Sequence, residues 1–64
     1  MNETKKAMRE AVESFILAAE QYAVYRAAVE DGNPTAKAWK ATALWGETNA
    51  ALQRVLNLRT ALTA

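Results

Sequence analysis

One short stretch divides this sequence more sharply than anything else in it: Glu30-Asp31-Gly32-Asn33-Pro34-Thr35. Gly32 suits the left-handed backbone position just past a helix end, where a Cβ would clash. Asn33 is a good N-cap, and Pro34 would then take the first helical position, where its missing N–H costs nothing. The stretch reads as helix stop, tight turn, helix start. It predicts a first helix over about 3–30, a turn at 31–33 and a second helix over about 34–62. Each helix would be roughly 42 Å long, and two matched helices joined by a short turn fold back antiparallel. The expected fold is all-α, a single helical-hairpin domain.

With 64 residues, such a hairpin has little volume in which to bury a core. Small domains usually gain stability from disulfides, a metal or association. The chain has no Cys and no His. That removes disulfides, thiolate metal sites and cysteine nucleophiles, together with the commonest general base and transition-metal ligand. Association is what remains. Fifteen residues are alanine, which favours helices that approach closely over a bulky core. The scarcity of turn residues and β-branched residues argues against a β fold.

Gly46 interrupts the second helix, where glycine costs about 1 kcal/mol relative to alanine. Thr48 or Asn49 could cap a new helix after it, so a three-helix alternative would break at Trp45-Gly46. The continuous helix is the expectation carried forward, because a packing role for Gly46 supports it. In the first helix Met8, Val12, Phe15, Ala19, Tyr22, Arg26 and Val29 form a heptad-like seam. Ala11, Ala18 and Tyr25 widen it on one side, Ile16 and Ala23 on the other. In the second helix Trp39, Ala43, Gly46 and Ala50 form a stripe of mostly small residues. A hairpin register centred on Gly32 and Asn33 sets Phe15 level with Ala50, Tyr22 with Ala43, and Ala19 with Gly46. Arg26 would stack on Trp39. The small stripe is therefore expected to pack on the Phe15/Tyr22 seam.

That arrangement leaves Leu44, Trp45, Leu52, Val55, Leu56, Leu58 and Leu62 uncovered, more apolar surface than a monomer normally exposes. A homodimer forming a four-helix bundle around this stripe is the expected solution, since closed twofold dimers are the commonest oligomers. As a fold alone, this resembles the small plasmid-type helical-hairpin dimers, a likeness that implies nothing about function.

Chemistry is sparse. Ser14 is the single serine and has no histidine to activate it. Lys5, Lys6, Lys37 and Lys40 lie near helix ends or on polar faces and read as solvated. Glu10, Glu13 and Glu20 share a face but lack the histidines of di-metal bundles. Gly32 and Gly46 are isolated, so there is no phosphate loop. No cofactor, no metal site and no catalytic residue is expected, and the chain reads as a non-enzyme.

Eight basic residues face seven acidic ones, a net charge of +1, without the basic excess of most nucleic-acid binders. Lys5, Lys6, Arg9, Lys37, Lys40, Arg54 and Arg59 are the candidates for an alternative function as a nucleic-acid-binding dimer. Glu47 interrupts that set, and Lys6/Glu10, Arg9/Glu13 and Arg26/Glu30 are spaced to pair along a helix instead. Trp39, Trp45, Tyr22 and Tyr25 could stack on bases, but at helical spacing they read as packing or interface anchors. No run is long enough to span a membrane and no signal peptide is apparent, so a cytoplasmic location is expected.

Leu17 and Val24 stand among Glu10, Glu13, Glu20 and Gln21 on the far side of the first helix. An acidic–aliphatic strip suits a basic-rimmed apolar groove on another protein. Glu13, Leu17, Glu20 and Val24 are thus the candidate contact with an outside partner. The function expected is a small protein–protein interaction or regulatory module acting by stoichiometric binding, of the accessory type encoded by phages or plasmids, or else a structural or assembly subunit.

Overall fold

The computed structural model describes residues 3–63, and these form two helices packed as an antiparallel hairpin, α1 (Glu3–Glu30) and α2 (Ala38–Thr63). Both are rich in alanine and straight-chain residues that lose little freedom in a helix. No strand occurs among the described residues. The hairpin measures 47 × 17 × 11 Å. It is a slab of two helices side by side, without the second layer that ordinarily completes a domain core.

Gly32 ends α1 in the predicted manner. Its φ is +80°, its N–H donates to the Val29 carbonyl at 3.1 Å, and the Asn33 N–H donates to the Ala28 carbonyl at 3.1 Å. This pair of bonds is a Schellman motif, which satisfies carbonyls that the helix end would otherwise leave unpaired.

The start of α2 differs from expectation. Asn33 does not cap it and Pro34 is not its first residue. The Asn33 carboxamide oxygen instead accepts from the Thr35 N–H at 2.9 Å and the Thr35 hydroxyl at 2.8 Å. With the Ala36 N–H on the Asn33 carbonyl at 3.0 Å, residues 33–36 close a separate turn, for which Asn followed by Pro is well suited. Lys37 is the cap residue of α2, its carbonyl accepting from Lys40 and Ala41 at 3.0 and 3.2 Å. The Lys37 N–H donates across the hairpin to the Tyr25 hydroxyl at 2.6 Å. The connection is therefore longer than the 31–33 turn, and α2 is displaced along α1. Tyr22 meets Trp45, their ring centroids 5.1 Å apart, not Ala43.

Helix α2 runs unbroken through Gly46, so the three-helix alternative fails. The packing role assigned to Gly46 fails as well. Gly46 is exposed, and a Cβ built on it would meet nothing within 4 Å. Ala43 and Ala50 are exposed beside it, and Trp39 is 71% exposed. The small stripe faces outward. What packs on α1 is the line Ala41, Leu44, Thr48, Ala51, Val55 and Leu58, at alternating spacings of three and four. The seam of α1 is turned correspondingly, towards Met8, Ala11, Phe15, Ala18, Tyr22, Tyr25 and Val29. The α1 line keeps Met8, Phe15, Tyr22 and Val29 and exchanges Val12, Ala19 and Arg26 for Ala11, Ala18 and Tyr25, whereas the α2 line shares no residue with the expected stripe and lies well round the helix from it. Arg26 lies outside the contact. It holds Glu30 at 3.0 Å and the Tyr22 hydroxyl at 3.1 Å and does not stack on Trp39.

The contact between the helices is thin. Only Ala11, Ala41 and Thr48 are buried among the described residues, and no large side chain is fully enclosed. Two small residues and a threonine let the backbones approach closely but bury little apolar area. The Thr48 hydroxyl lies 2.9 Å from the Leu44 carbonyl of its own helix and 3.2 Å from the Ala18 carbonyl of the other, so this buried polar group is satisfied.

Candidate interaction surface

A hairpin one helix thick has two broad faces, and the side chains beside the seam decide the character of each. On one face a hollow of about 440 Å³ is lined by Tyr22, Arg26, Val29, Glu30, Ala38, Ala41, Thr42 and Trp45. The Tyr22 and Trp45 rings meet at a tilt of 46°, with centroids inside the range of aromatic pairs. The Tyr22 hydroxyl first, and then Glu30, hold the Arg26 guanidinium above its ordinary pKa, and the Arg26–Glu30 ion pair closes the hollow at the turn end.

Seven residues make two helical turns, so steps of seven from the lining residues trace the rest of this face. From Arg26 and Glu30 they reach Ala19, Val12 and Lys5, and Ala23, Ile16 and Arg9. From Trp45 and Thr42 they reach Leu52 and Arg59, and Asn49, Leu56 and Thr63. Between the turn-end pair and the open end, the face carries no charge over two helices. Ile16, Trp45, Leu52 and Leu56 are exposed on it, Trp45 to 49%. Val12, Phe15 and Ala19 are half-buried behind them.

The opposite face is mixed. A groove there is lined by Glu20, Gln21, Val24, Tyr25, Ala28, Asn33, Thr35, Ala36, Lys40 and Leu44. The Lys40 ammonium stands over the Tyr25 ring, 5.6 Å from its centroid, a cation–π contact. Steps of seven from Lys40 give Glu47 and Arg54, and from Gln21 they give Ser14. Charge and polarity interrupt this face along its length.

The expected self-association stripe is therefore split. Leu44, Val55 and Leu58 are half-buried in the hairpin contact, whereas Trp45, Leu52, Leu56 and Leu62 are exposed. The stripe does not form one uncovered surface, because Leu44, Val55 and Leu58 belong to the seam that holds α2 to α1. Ile16 and Asn49 join the exposed apolar face instead. The α2 line that packs contains a threonine, Thr48, and so does not stand out in the sequence as an apolar repeat.

The strip proposed for an outside partner is on the surface. Glu13 and Glu20 are exposed, Leu17 is 60% exposed and Val24 73%. Glu20 and Val24 line the mixed groove, but Glu13 and Leu17 do not. Of the basic residues, Lys5, Arg9 and Arg59 fall at the open end of the apolar face, and Lys40 and Arg54 on the mixed one, so they form no single stripe. Among the described residues, no group of three acidic side chains could hold a metal ion, and no helix is long and apolar enough to cross a membrane.

Compared with models of protein families, with curated proteins and with solved structures, the chain matches none.

Proposed function

We propose that this chain is a small, non-enzymatic protein–protein interaction module that acts by stoichiometric binding, and that its first partner is a second copy of itself in a homodimeric four-helix bundle. Its surface area carries the reading. A monomeric protein of its mass, 7.0 kDa, is expected to expose about 4,000 Å², and the hairpin exposes 4806 Å². The excess is close to the roughly 800 Å² that each partner buries in a standard interface. Shape agrees with area. The radius of gyration is 14.6 Å, against about 11 Å for a compact domain of this length and about 14 Å for one twice as long. The uncharged middle of the Tyr22/Trp45 face, between the Arg26–Glu30 pair and the basic open end, supplies the apolar surface that a second layer would cover.

In such a dimer the mixed face and the outer side of α1 stay accessible. Leu17 and Val24, set among Glu13 and Glu20, are the part of the module offered to a different protein, one with an apolar groove rimmed by basic residues. Regulation by occupancy, in the manner of small phage- or plasmid-type accessory proteins acting in the cytoplasm, is the role this design suits.

Light scattering at micromolar concentration tests the proposal. The expected mass is twice that of the chain. A fully helical, stable monomer would overturn it. Retardation of RNA or DNA at moderate salt, with a salt dependence worth several phosphate contacts, would move the function to nucleic-acid binding.

A further inference from the structure

How the second hairpin lies on the first is constrained by the symmetry and charge of the Tyr22/Trp45 face. We infer that the two copies stack on this face turned end for end, the turn of one over the open end of the other, about a twofold axis level with Ala18 and Thr48. The inference rests on the homodimer reading given above.

The apolar part of the face has a centre, and both helices give the same one. On α1 the uncharged positions beside the seam are Val12, Ile16, Ala19 and Ala23, whose midpoint falls between Leu17 and Ala18. On α2 the uncharged positions Thr42, Trp45, Asn49, Leu52 and Leu56 are centred on Asn49, next to Thr48. These midpoints lie at one level of the hairpin, because the Thr48 hydroxyl is 3.2 Å from the Ala18 carbonyl. A twofold axis there, lying in the plane between the copies, sets Ile16 against the partner's Ala19, Val12 against the partner's Ala23 and Trp45 against the partner's Leu52. A larger side chain meets a smaller one at each level, as interdigitating layers require.

Charge selects between the two ways of stacking. Lys5, Arg9 and Arg59 stand at the open end of this face with no carboxylate among them, while Glu30 stands at the turn end with Arg26. Copies aligned with their turns together would bring the cations of both open ends into one cluster, and like charges brought close across an interface oppose association. Turned end for end, Lys5 falls level with the partner's Glu30. Arg9 falls level with the partner's Arg26, whose charge Glu30 already offsets. Position Asn49 then lies beside the axis, facing its own copy.

The natural absence of cysteine allows single-cysteine variants to test this directly. Asn49→Cys is expected to form a covalent dimer under mild oxidation, since a disulfide demands Cα atoms within about 7 Å. Gln53→Cys, on the far side of α2, is not. A nitroxide on Asp31→Cys, read by double electron–electron resonance, should give a separation of about 40 Å, twice the distance from the turn to the axis at 1.5 Å per residue. Separations under about 20 Å without an Asn49 cross-link would place the turns together and overturn the orientation while leaving the dimer intact. A separation of about 40 Å with cross-linking at Gln53 and none at Asn49 would move the contact to the outer side of α2 and also overturn it. A monomeric mass for the unmodified chain under the same conditions would overturn the dimer itself.

Discussion

The hydroxyl of Thr48 lies 3.2 Å from the backbone carbonyl of Ala18, at the level where the two helices come together. Thr48 is one of three buried residues, and it is the polar one. Its proton has two acceptors, the Leu44 and Ala18 carbonyls, both in the interior of a helix. Thr48→Val keeps the shape and removes the donor, so it should cost about 1 kcal/mol, the usual net worth of one hydrogen bond. Thr48→Leu adds volume where the backbones approach closely and should cost about 1–3 kcal/mol. Urea unfolding followed by circular dichroism measures both, and a Leu variant more stable than the Val variant would contradict the close approach.

The two glycines should respond to alanine with opposite signs. Gly46 sits in mid-helix with open space around its Cα, so Gly46→Ala gains helix propensity and meets no obstacle. It should stabilise by about 0.5–1 kcal/mol, a rise of several degrees in melting temperature for a domain of this size. Gly32 has φ +80°, and Gly32→Ala should cost about 1–2 kcal/mol for holding an L-residue there. Thermal melts of the two variants read the pair. A destabilised Gly46→Ala would mean that another chain packs on that face of α2.

Tyr25 closes the connection from the α1 side. Its hydroxyl accepts the Lys37 N–H at 2.6 Å, and its ring lies under Lys40. Tyr25→Phe removes the acceptor and keeps the ring. Amide exchange at Lys37 should quicken while exchange in the middle of α2 stays unchanged, with an overall cost of about 0.5–1.5 kcal/mol. Nuclear magnetic resonance exchange resolves the two sites, and unchanged protection at Lys37 would count against the bond.

Leu52 and Leu17 separate the two proposed surfaces. Leu52→Glu places a charge in the middle of the uncharged face and should abolish self-association, lowering helicity as the single-layer hairpin loses its cover. Leu17→Glu, on the outer side of α1, should leave mass and helicity as they are. Sedimentation velocity with circular dichroism gives both readouts. Equal effects from the two substitutions would show that the faces do not divide this work.

Much of this architecture could be read along the chain because it depends on local chemistry. The Schellman stop at Gly32 follows from one glycine at the end of a helical pattern, and α2 continues through Gly46 because an isolated glycine costs less than the helix around it gains. The connection was harder to read. Asn33 and Pro34 are as well suited to a free turn as to a helix cap, and the choice is made by Tyr25, twelve residues before Lys37. The face of each helix was harder still. Alanine occurs on every side of both helices, so the apolar pattern supports neighbouring seven-residue lines almost equally. The line that packs is the one containing Thr48, a residue that pattern alone assigns to solvent.

Composition, the turn signal and helical periodicity therefore determined that this protein is an antiparallel hairpin of two long helices with more apolar surface than one layer can bury. The tertiary structure decided which surface that is. Rotation of a helix about its own axis is set by how closely backbones can approach, and here the approach is made at Ala11, Ala41 and Thr48, while the small residues Ala43, Gly46 and Ala50 face outward. This rotation puts Leu44, Val55 and Leu58 in the contact between the helices and leaves Ile16, Trp45, Leu52 and Leu56 together on the uncharged middle of one face.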